Sequence, residues 1–226
     1  MAAGFEIEIK SLLGSKENAD ALKERFFVLF PQAKLVSKNN QLNHYFEGGD
    51  IVKLREKFAE RVPTDHKDAF ENILRVGKNH SVRTRQLDKT VILVIKASID
   101  DTTSSNGISR MECEVIFPEL TLDQLDQLLL EAGFTYQAKW SREREQYEAP
   151  EMTLCIDKNA GYGYLAEFEK VVQSAEAAEK TRDELRKVMH QLEVAELSQE
   201  RLERMFAFYN AHWPEYYGTD KVFTIE

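Results

Sequence analysis

The stretch Phe5-Glu6-Ile7-Glu8-Ile9-Lys10 alternates without a break, with Phe5, Ile7 and Ile9 on one side and Glu6, Glu8 and Lys10 on the other. A period of two marks a half-buried strand. Residues 41–46, 81–86, 91–96, 110–117, 139–147, 152–157 and 165–172 read as further strands, and nearly all set charges in phase. Arg83 and Arg85 share a face, as do Arg110, Glu112 and Glu114, then Arg142 and Arg144, then Glu167 and Glu169; Lys96 and Asp157 each end a strand. One strand at a time, this describes the solvated face of an antiparallel sheet. Taken together, Arg pairs and Glu pairs replace the usual surface mixture, with the acids concentrated on the first, fifth and last strands and the bases on the middle ones. A sheet closed into a barrel would turn these faces inward and bring the first and last strands together. The fold expected is therefore α+β, a closed antiparallel β-barrel with flanking helices and a C-terminal helical pair.

The helices follow from spacing and punctuation. Residues 17–30 place Leu22, Phe26 and Leu29 on one side before Pro31 and Gln32 stop the helix. Residues 51–75 are helical in composition, split at Pro63, and form an insertion between two strands. Thr121 and Gln124 form a capping box opening a helix with Leu122, Leu125, Leu128 and Leu129 on one face, and Gly133 stands at its stop. Gly161 and Gly163 turn the chain between the last two strands. Beyond Val172, residues 174–192 and 198–212 carry the stripes Leu185, Val188, Met189, Leu192 and Leu202, Met205, Phe206, Tyr209, whose spacing is that of core-facing amphipathic helices. The expected organisation is one domain over 1–172 and a helical extension over 173–226 packed on it. No internal repeat or low-complexity tract is visible.

Composition narrows the function. Of 226 residues, 42% are hydrophobic and 31% charged, and 30 Lys+Arg against 39 Asp+Glu leave a net charge of −9. That balance argues against a DNA partner or an anionic membrane surface, while leaving room for a locally cationic pocket. The longest apolar runs, 26–30 and 91–95, are too short to span a bilayer, and the N-terminus turns charged too early for a signal peptide. Cys113 and Cys155 make neither a disulfide scaffold nor a zinc spacing. A cytoplasmic protein is expected, in which the sequon Asn79-His80-Ser81 has no meaning. Gly161-Tyr162-Gly163-Tyr164-Leu165-Ala166 fits a dinucleotide fingerprint only formally, because a strand and not a helix follows. There is no phosphate-binding GxxxxGK[ST] loop, no GxSxG, and no ligand spacing among the five histidines. Trp213, beside Pro214, is expected to anchor the tail in the core.

The charged faces themselves point to a chemistry. Clustered carboxylates do not all stay ionised without a cation. Hard oxygen donors without His or Cys suit Mg²⁺ or Mn²⁺. Arg and Lys side chains suit a polyanion, since a guanidinium grips phosphate oxygens bidentately. Metal, cationic lining and a chain of phosphates make the layout for phosphoryl transfer.

These motifs, in order, resemble the CYTH family, the triphosphate tunnel metalloenzymes. Glu6, Glu8 and Lys10 match its ExExK element, and Gln41-Leu42-Asn43-His44-Tyr45-Phe46 its second strand. Arg83 and Arg85 match RxR, Lys96 the end of LxxK, and Arg110, Glu112 and Glu114 match RxExE. Arg142, Arg144 and Tyr147 match RxRxxY, and Asp157, the Gly161–Gly163 turn, Glu167 and Glu169 the closing hairpin. Glu47 departs from the Asp that many relatives carry, and the 51–75 insertion is longer than in compact members. The C-terminal helices resemble the tail of larger members such as thiamine triphosphatases.

The resemblance implies a Mg²⁺- or Mn²⁺-dependent triphosphatase acting inside a charged tunnel. Glu6, Glu8 and Glu169 are the first metal ligands it implies, with Glu112, Glu114, Asp157 and Glu167 in a second tier. Lys10, Arg83, Arg85, Lys96, Arg110, Arg142 and Arg144 would hold phosphates, and Glu6, Glu8, Lys10 and Glu169 form the catalytic set. The substrate implied is tripolyphosphate, thiamine triphosphate, a nucleoside triphosphate or an RNA 5′ end, taken by a monomer or homodimer. Two alternatives stand beside it: a class IV adenylate cyclase, and a non-catalytic module binding polyphosphate or nucleotide.

Overall fold

The computed structural model describes residues 5–98, 110–172 and 177–225, with side chains for 7–98, 111–172 and 177–225. In chain order the elements are β1 (Phe5–Gly14), α1 (Lys16–Leu29), β2 (Lys34–Gly48), α2 (Ile51–Phe58), α3 (Thr64–Val76), β3 (Lys78–Leu87) and β4 (Thr90–Ser98), then β5 (Arg110–Ile116), α4 (Leu122–Glu131), β6 (Phe134–Ala149), β7 (Met152–Asn159), β8 (Gly163–Val172), α5 (Ala178–Gln191) and α6 (Gln199–Tyr216). The strands form one sheet in the order β1-β8-β7-β6-β2-β3-β4-β5.

The α+β class, the flanking helices and the C-terminal helical pair are as the sequence predicts, and the first and last strands do pair. Closure is corrected: β1 and β5 are the ends of the hydrogen-bonded order, with no pairing between them among the described residues. Part of the reason is visible at β1, where the Leu197 amide, in the connection between α5 and α6, donates to the Lys10 carbonyl at 2.7 Å. A loop thereby uses backbone that a closing strand would need.

The chain divides into two compact units, residues 1–40 with 141–226, and residues 41–140. In the first, Ile7, Ile9 and Leu13 of β1 pack with Leu22 and Phe26 of α1, Leu154 and Ile156 of β7, Phe168 of β8, and Leu185, Met189 and Leu192 at α5. The strict alternation of β1 thus buries one face and frees the other for charge. Ser15 caps α1, its side chain accepting from the Asn18 amide. The turn between β7 and β8 requires glycine at Gly161: φ is +82°, and a Cβ there would lie 2.7 Å from the Tyr209 ring. Tyr162 beside it is buried within ring contact of Phe206, Tyr209 and Phe223. The final segment straps this turn, Phe223 donating to the Gly161 carbonyl at 2.8 Å. Trp213 is half-buried, edge-on to Tyr217.

In the second unit, α2, α3 and α4 bury Leu54, Phe58, Phe70, Ile73, Leu122, Leu125 and Leu129 against Val82, Leu93, Ile95 and Val115 of β3, β4 and β5. The insertion breaks at Pro63, which occupies the N-cap of α3. The capping box at Thr121 and Gln124 is formed in both directions. One detail of α4 departs from the predicted stripe: Asp126, not Leu128, joins Leu122, Leu125 and Leu129 in the fully buried set.

Candidate active site

Strand register places the predicted residues in two sets, one in each unit. In the first unit Glu8 lies opposite Glu169, and Lys10 opposite Glu167, across the β1–β8 pair. Cys155 of β7 lies opposite Glu167, and Asp157 opposite Arg144 of β6. Cross-strand partners share a face, so Glu8, Lys10, Arg144, Cys155, Asp157, Glu167 and Glu169 belong to one charged surface. The backbone of Glu6 pairs with Val171; its side chain lies outside the described residues.

Opposite charges order that surface. Lys10 Nζ pairs with Glu8 and stands 3.1 Å from Glu167 Oε1. Asp157, 1% exposed, accepts Arg144 Nε and Nη2 at 2.7 Å each and Arg142 Nη1 at 2.9 Å. Both its oxygens therefore serve the two arginines. Arg144 also donates to Glu167. Burial opposes the charge on Glu167, yet Lys10, Arg144 and Arg142 outweigh it and hold its carboxyl well below the ordinary range. Burial likewise works against Arg144, but Asp157 and Glu167 keep its guanidinium charged.

Among the described residues, Cys155, Glu167 and Glu169 bring one ligand atom each within 4.8 Å of one another. Burial pushes the Cys155 thiol up to about 12, which leaves it neutral at physiological pH. The charged donors of this face are carboxylate oxygens from Glu8, Glu167 and Glu169, a hard donor set that fits Mg²⁺ or Mn²⁺.

The second unit carries the other set. Arg83 lies opposite Tyr45, and Arg85 opposite Asn43, across the β2–β3 pair. Arg83 Nη1 donates to the Tyr45 hydroxyl at 2.9 Å, and Arg85 Nε to Asn43 Oδ1 at 3.0 Å. Lys96 Nζ is 3.1 Å from Glu112 Oε2, and Arg85 Nη1 is 3.0 Å from Glu114 Oε1. Glu112 and Glu114 thus neutralise cations within this unit. Arg110 pairs with Ser98 by its backbone, and its side chain lies outside the described residues. Among the described residues, Arg83 Nε is buried with no hydrogen-bond partner. A buried guanidinium donor left open fits an anion with oxygens to accept it.

The sequence model of the CYTH domain matches residues 65–202, more than half of the chain. The chain belongs to the CYTH family. β1, with Glu8 and Lys10, precedes the matched segment but pairs with β8 inside it. No curated protein matches this CYTH chain. Solved structures share its fold. A conserved hypothetical protein from Pyrococcus furiosus is 18% identical with a TM-score of 0.56, over 86% of this chain and 93% of that one. A proposed adenylate cyclase from Vibrio parahaemolyticus is 15% identical at 0.57, over 90% and 98%. A proposed adenylyl cyclase from Hippeastrum, described as having a dominant triphosphatase activity, is 14% identical at 0.52, over 89% and 95%. No helix among the described residues is long and apolar enough to cross a membrane.

Sequence reasoning missed one cluster in this CYTH chain. Asp126, 1% exposed, accepts from Thr84 Oγ1 at 2.5 Å and from the Tyr136 hydroxyl at 2.7 Å, and lies 2.6 Å from His44 Nδ1. The signal was an acid standing four residues after Leu122 and three before Leu129, on the apolar stripe of a capped helix.

Proposed function

We propose that this CYTH protein is a divalent-metal-dependent triphosphatase of the cytoplasm, cleaving the terminal anhydride bond of an inorganic or organic triphosphate. The observation that carries the reading is the cross-strand pair Glu8–Glu169, with Glu167 and Lys10 on the same face. Glu8, Glu169 and Glu167 would hold Mg²⁺ or Mn²⁺, with Glu6 as a further ligand from the same strand. When bound, the metal supplies neutralisation of charge on the phosphoryl oxygens. In this reading Lys10, Arg142 and Arg144 of the first unit and Arg83, Arg85 and Lys96 of the second are the phosphate ligands. Water attacks the terminal phosphorus, its proton passes to a carboxylate, the anhydride P–O bond breaks, and orthophosphate leaves with a diphosphate product.

The test is to incubate the purified chain with tripolyphosphate, thiamine triphosphate and ATP, each with Mg²⁺ or Mn²⁺. Orthophosphate, pyrophosphate and cyclic AMP are assayed separately. Metal-dependent orthophosphate release from at least one substrate, abolished by EDTA, is expected. Cyclic AMP and pyrophosphate as the main products from ATP would replace this reading by a cyclase.

A further inference from the structure

His44 and Thr84 are a directly opposed pair across β2 and β3. Their neighbours in the same two strands are the pairs Tyr45–Arg83 on one side and Asn43–Arg85 on the other. Alternation turns His44 and Thr84 to the helix-covered face of the sheet and the two arginines to the opposite face. Asp126 of α4 reaches the covered face and takes one member of the central pair with each oxygen, His44 Nδ1 at Oδ2 and Thr84 Oγ1 at Oδ1. The Tyr136 hydroxyl, from β6, adds a third bond at Oδ2.

His44, Thr84 and Asp126 are buried away from substrate. His44 is 2% exposed, Thr84 0% and Asp126 1%. Burial would raise the Asp126 carboxyl, but the bonds from His44, Thr84 and Tyr136 bring it below its ordinary value. An ionised carboxylate only accepts, so Nδ1 of His44 carries the proton. Loss of a buried charge held by three donors leaves those donors unsatisfied.

We propose that Asp126 is a positioning residue for the anion-binding arginines: by stapling His44 to Thr84 from behind the sheet, it sets the spacing and angle at which Arg83 and Arg85 meet phosphate. This rests on the reading of Arg83 and Arg85 as phosphate ligands. A guanidinium needs both N–H vectors aligned with its oxygens, so a small rotation of the β2–β3 pair costs affinity without removing any ligand.

The probe is inorganic tripolyphosphate, titrated calorimetrically into the full chain, with KM and kcat read on the same substrate under Mn²⁺. Asp126→Asn and Thr84→Val should each weaken tripolyphosphate binding and raise KM by about tenfold, with kcat changed by less than about threefold. Thr84→Ser, which keeps the hydroxyl, should restore wild-type values. In the Arg83→Ala background the Asp126→Asn effect should shrink to about threefold or less, because part of its target is gone. Leu125→Ala, on the same helix and away from the staple, should lower the melting temperature without moving KM. Equal losses in both backgrounds, or a Leu125→Ala chain with the same rise in KM, would reduce Asp126 to a fold-stabilising group. Wild-type affinity in Asp126→Asn beside weakened binding in Arg83→Ala would overturn the staple alone. Wild-type affinity in Arg83→Ala would instead overturn the phosphate reading and the staple's role with it. If Asp126→Asn does not fold, Thr84→Val and Thr84→Ser carry the same comparison.

Discussion

Glu8 and Glu169 face each other across β1 and β8 as a directly opposed antiparallel pair, with Lys10 and Glu167 the next pair on that face. Two like charges in that position destabilise a sheet unless something lies between them. Lys10 pairs with Glu8, and a divalent cation would bridge the two carboxylates. Glu8→Gln or Glu169→Gln should therefore lower kcat by about a hundredfold or more, since each removes a hard anionic donor. Part of the loss should return at high Mn²⁺. The check is a Mn²⁺ titration at saturating tripolyphosphate, in which the midpoint shifts to higher metal; an unshifted midpoint with full turnover would return these acids to the solvated-face role.

Arg83→Ala should leave that midpoint where it is. Its guanidinium contacts Tyr45 and has a buried Nε with no partner among the described residues, so its removal takes away an anion donor and no carboxylate. KM for tripolyphosphate should rise about ten- to a hundredfold, with a smaller loss in kcat. Steady-state kinetics at fixed saturating Mn²⁺ separates this pattern from that of the Glu8 variant.

Acid should weaken the first unit through Glu145 of β6. Burial alone would raise its carboxyl, but Lys38 Nζ at 2.8 Å, the Tyr147 hydroxyl at 2.7 Å and Lys23 Nζ at 3.3 Å bring it from an ordinary 4.5 down to about 2. Because the folded value is the lower one, the unfolded chain binds more protons between pH 2 and 4.5, and stability falls with pH across that window. The contribution is complete above about pH 5 and gone near pH 2. Glu145→Gln should cost about 1–2 kcal/mol at pH 7, after allowance for solvent screening, and almost nothing near pH 2. Urea denaturation at several pH values would show the two curves converging as pH falls.

Deleting residues 173–226 should unfold the first unit instead of merely trimming it. Leu185, Met189 and Leu192 share a core with Ile7, Ile9 and Phe168, and the Leu197 amide bonds the Lys10 carbonyl. Uncovering that face exposes several large side chains at about 1.5–3 kcal/mol each, comparable with a whole domain's stability. Circular dichroism of the truncated chain against the full one measures it. A cooperative, soluble truncation would make α5 and α6 an accessory.

Much of this was legible from local pattern. Glu6–Lys10 declares a strand by period alone, Thr121 and Gln124 declare a helix start, and Pro63 splits the insertion where two helices meet. Boundaries were harder where periodicity fades. β2 begins at Lys34, but Leu35 and Val36 are exposed, so its first half lacks the alternation that marks a strand. β6 starts directly after the predicted helix stop at Gly133, well before residue 139. Closure was not legible, because it depends on what occupies the outer edge of β1, and Leu197 lies far away in the chain. Nor was the burial of Asp126, whose partners come from three strands. Leu128 looked the better core residue on helical spacing, and only tertiary hydrogen bonds make the acid affordable inside.

The pairing of β1 with β8 also sets an order of events during synthesis. β1 leaves the ribosome before β8, its partner, which follows about 160 residues later, a wait of roughly 8–32 s at ordinary elongation rates. Late in that interval, once residue 140 has been made, the second unit has all of its own sequence and can condense, while β1 still lacks β8. A bare strand of Phe5, Ile7 and Ile9 would invite pairing with another nascent chain. Glu6, Glu8 and Lys10 interrupt it at every second position, so the charges, two of which later lie opposite Glu169 and Glu167 of β8, first act as gatekeepers against aggregation. Replacing them with neutral residues would then lower the yield of soluble protein as well as the activity of what folds.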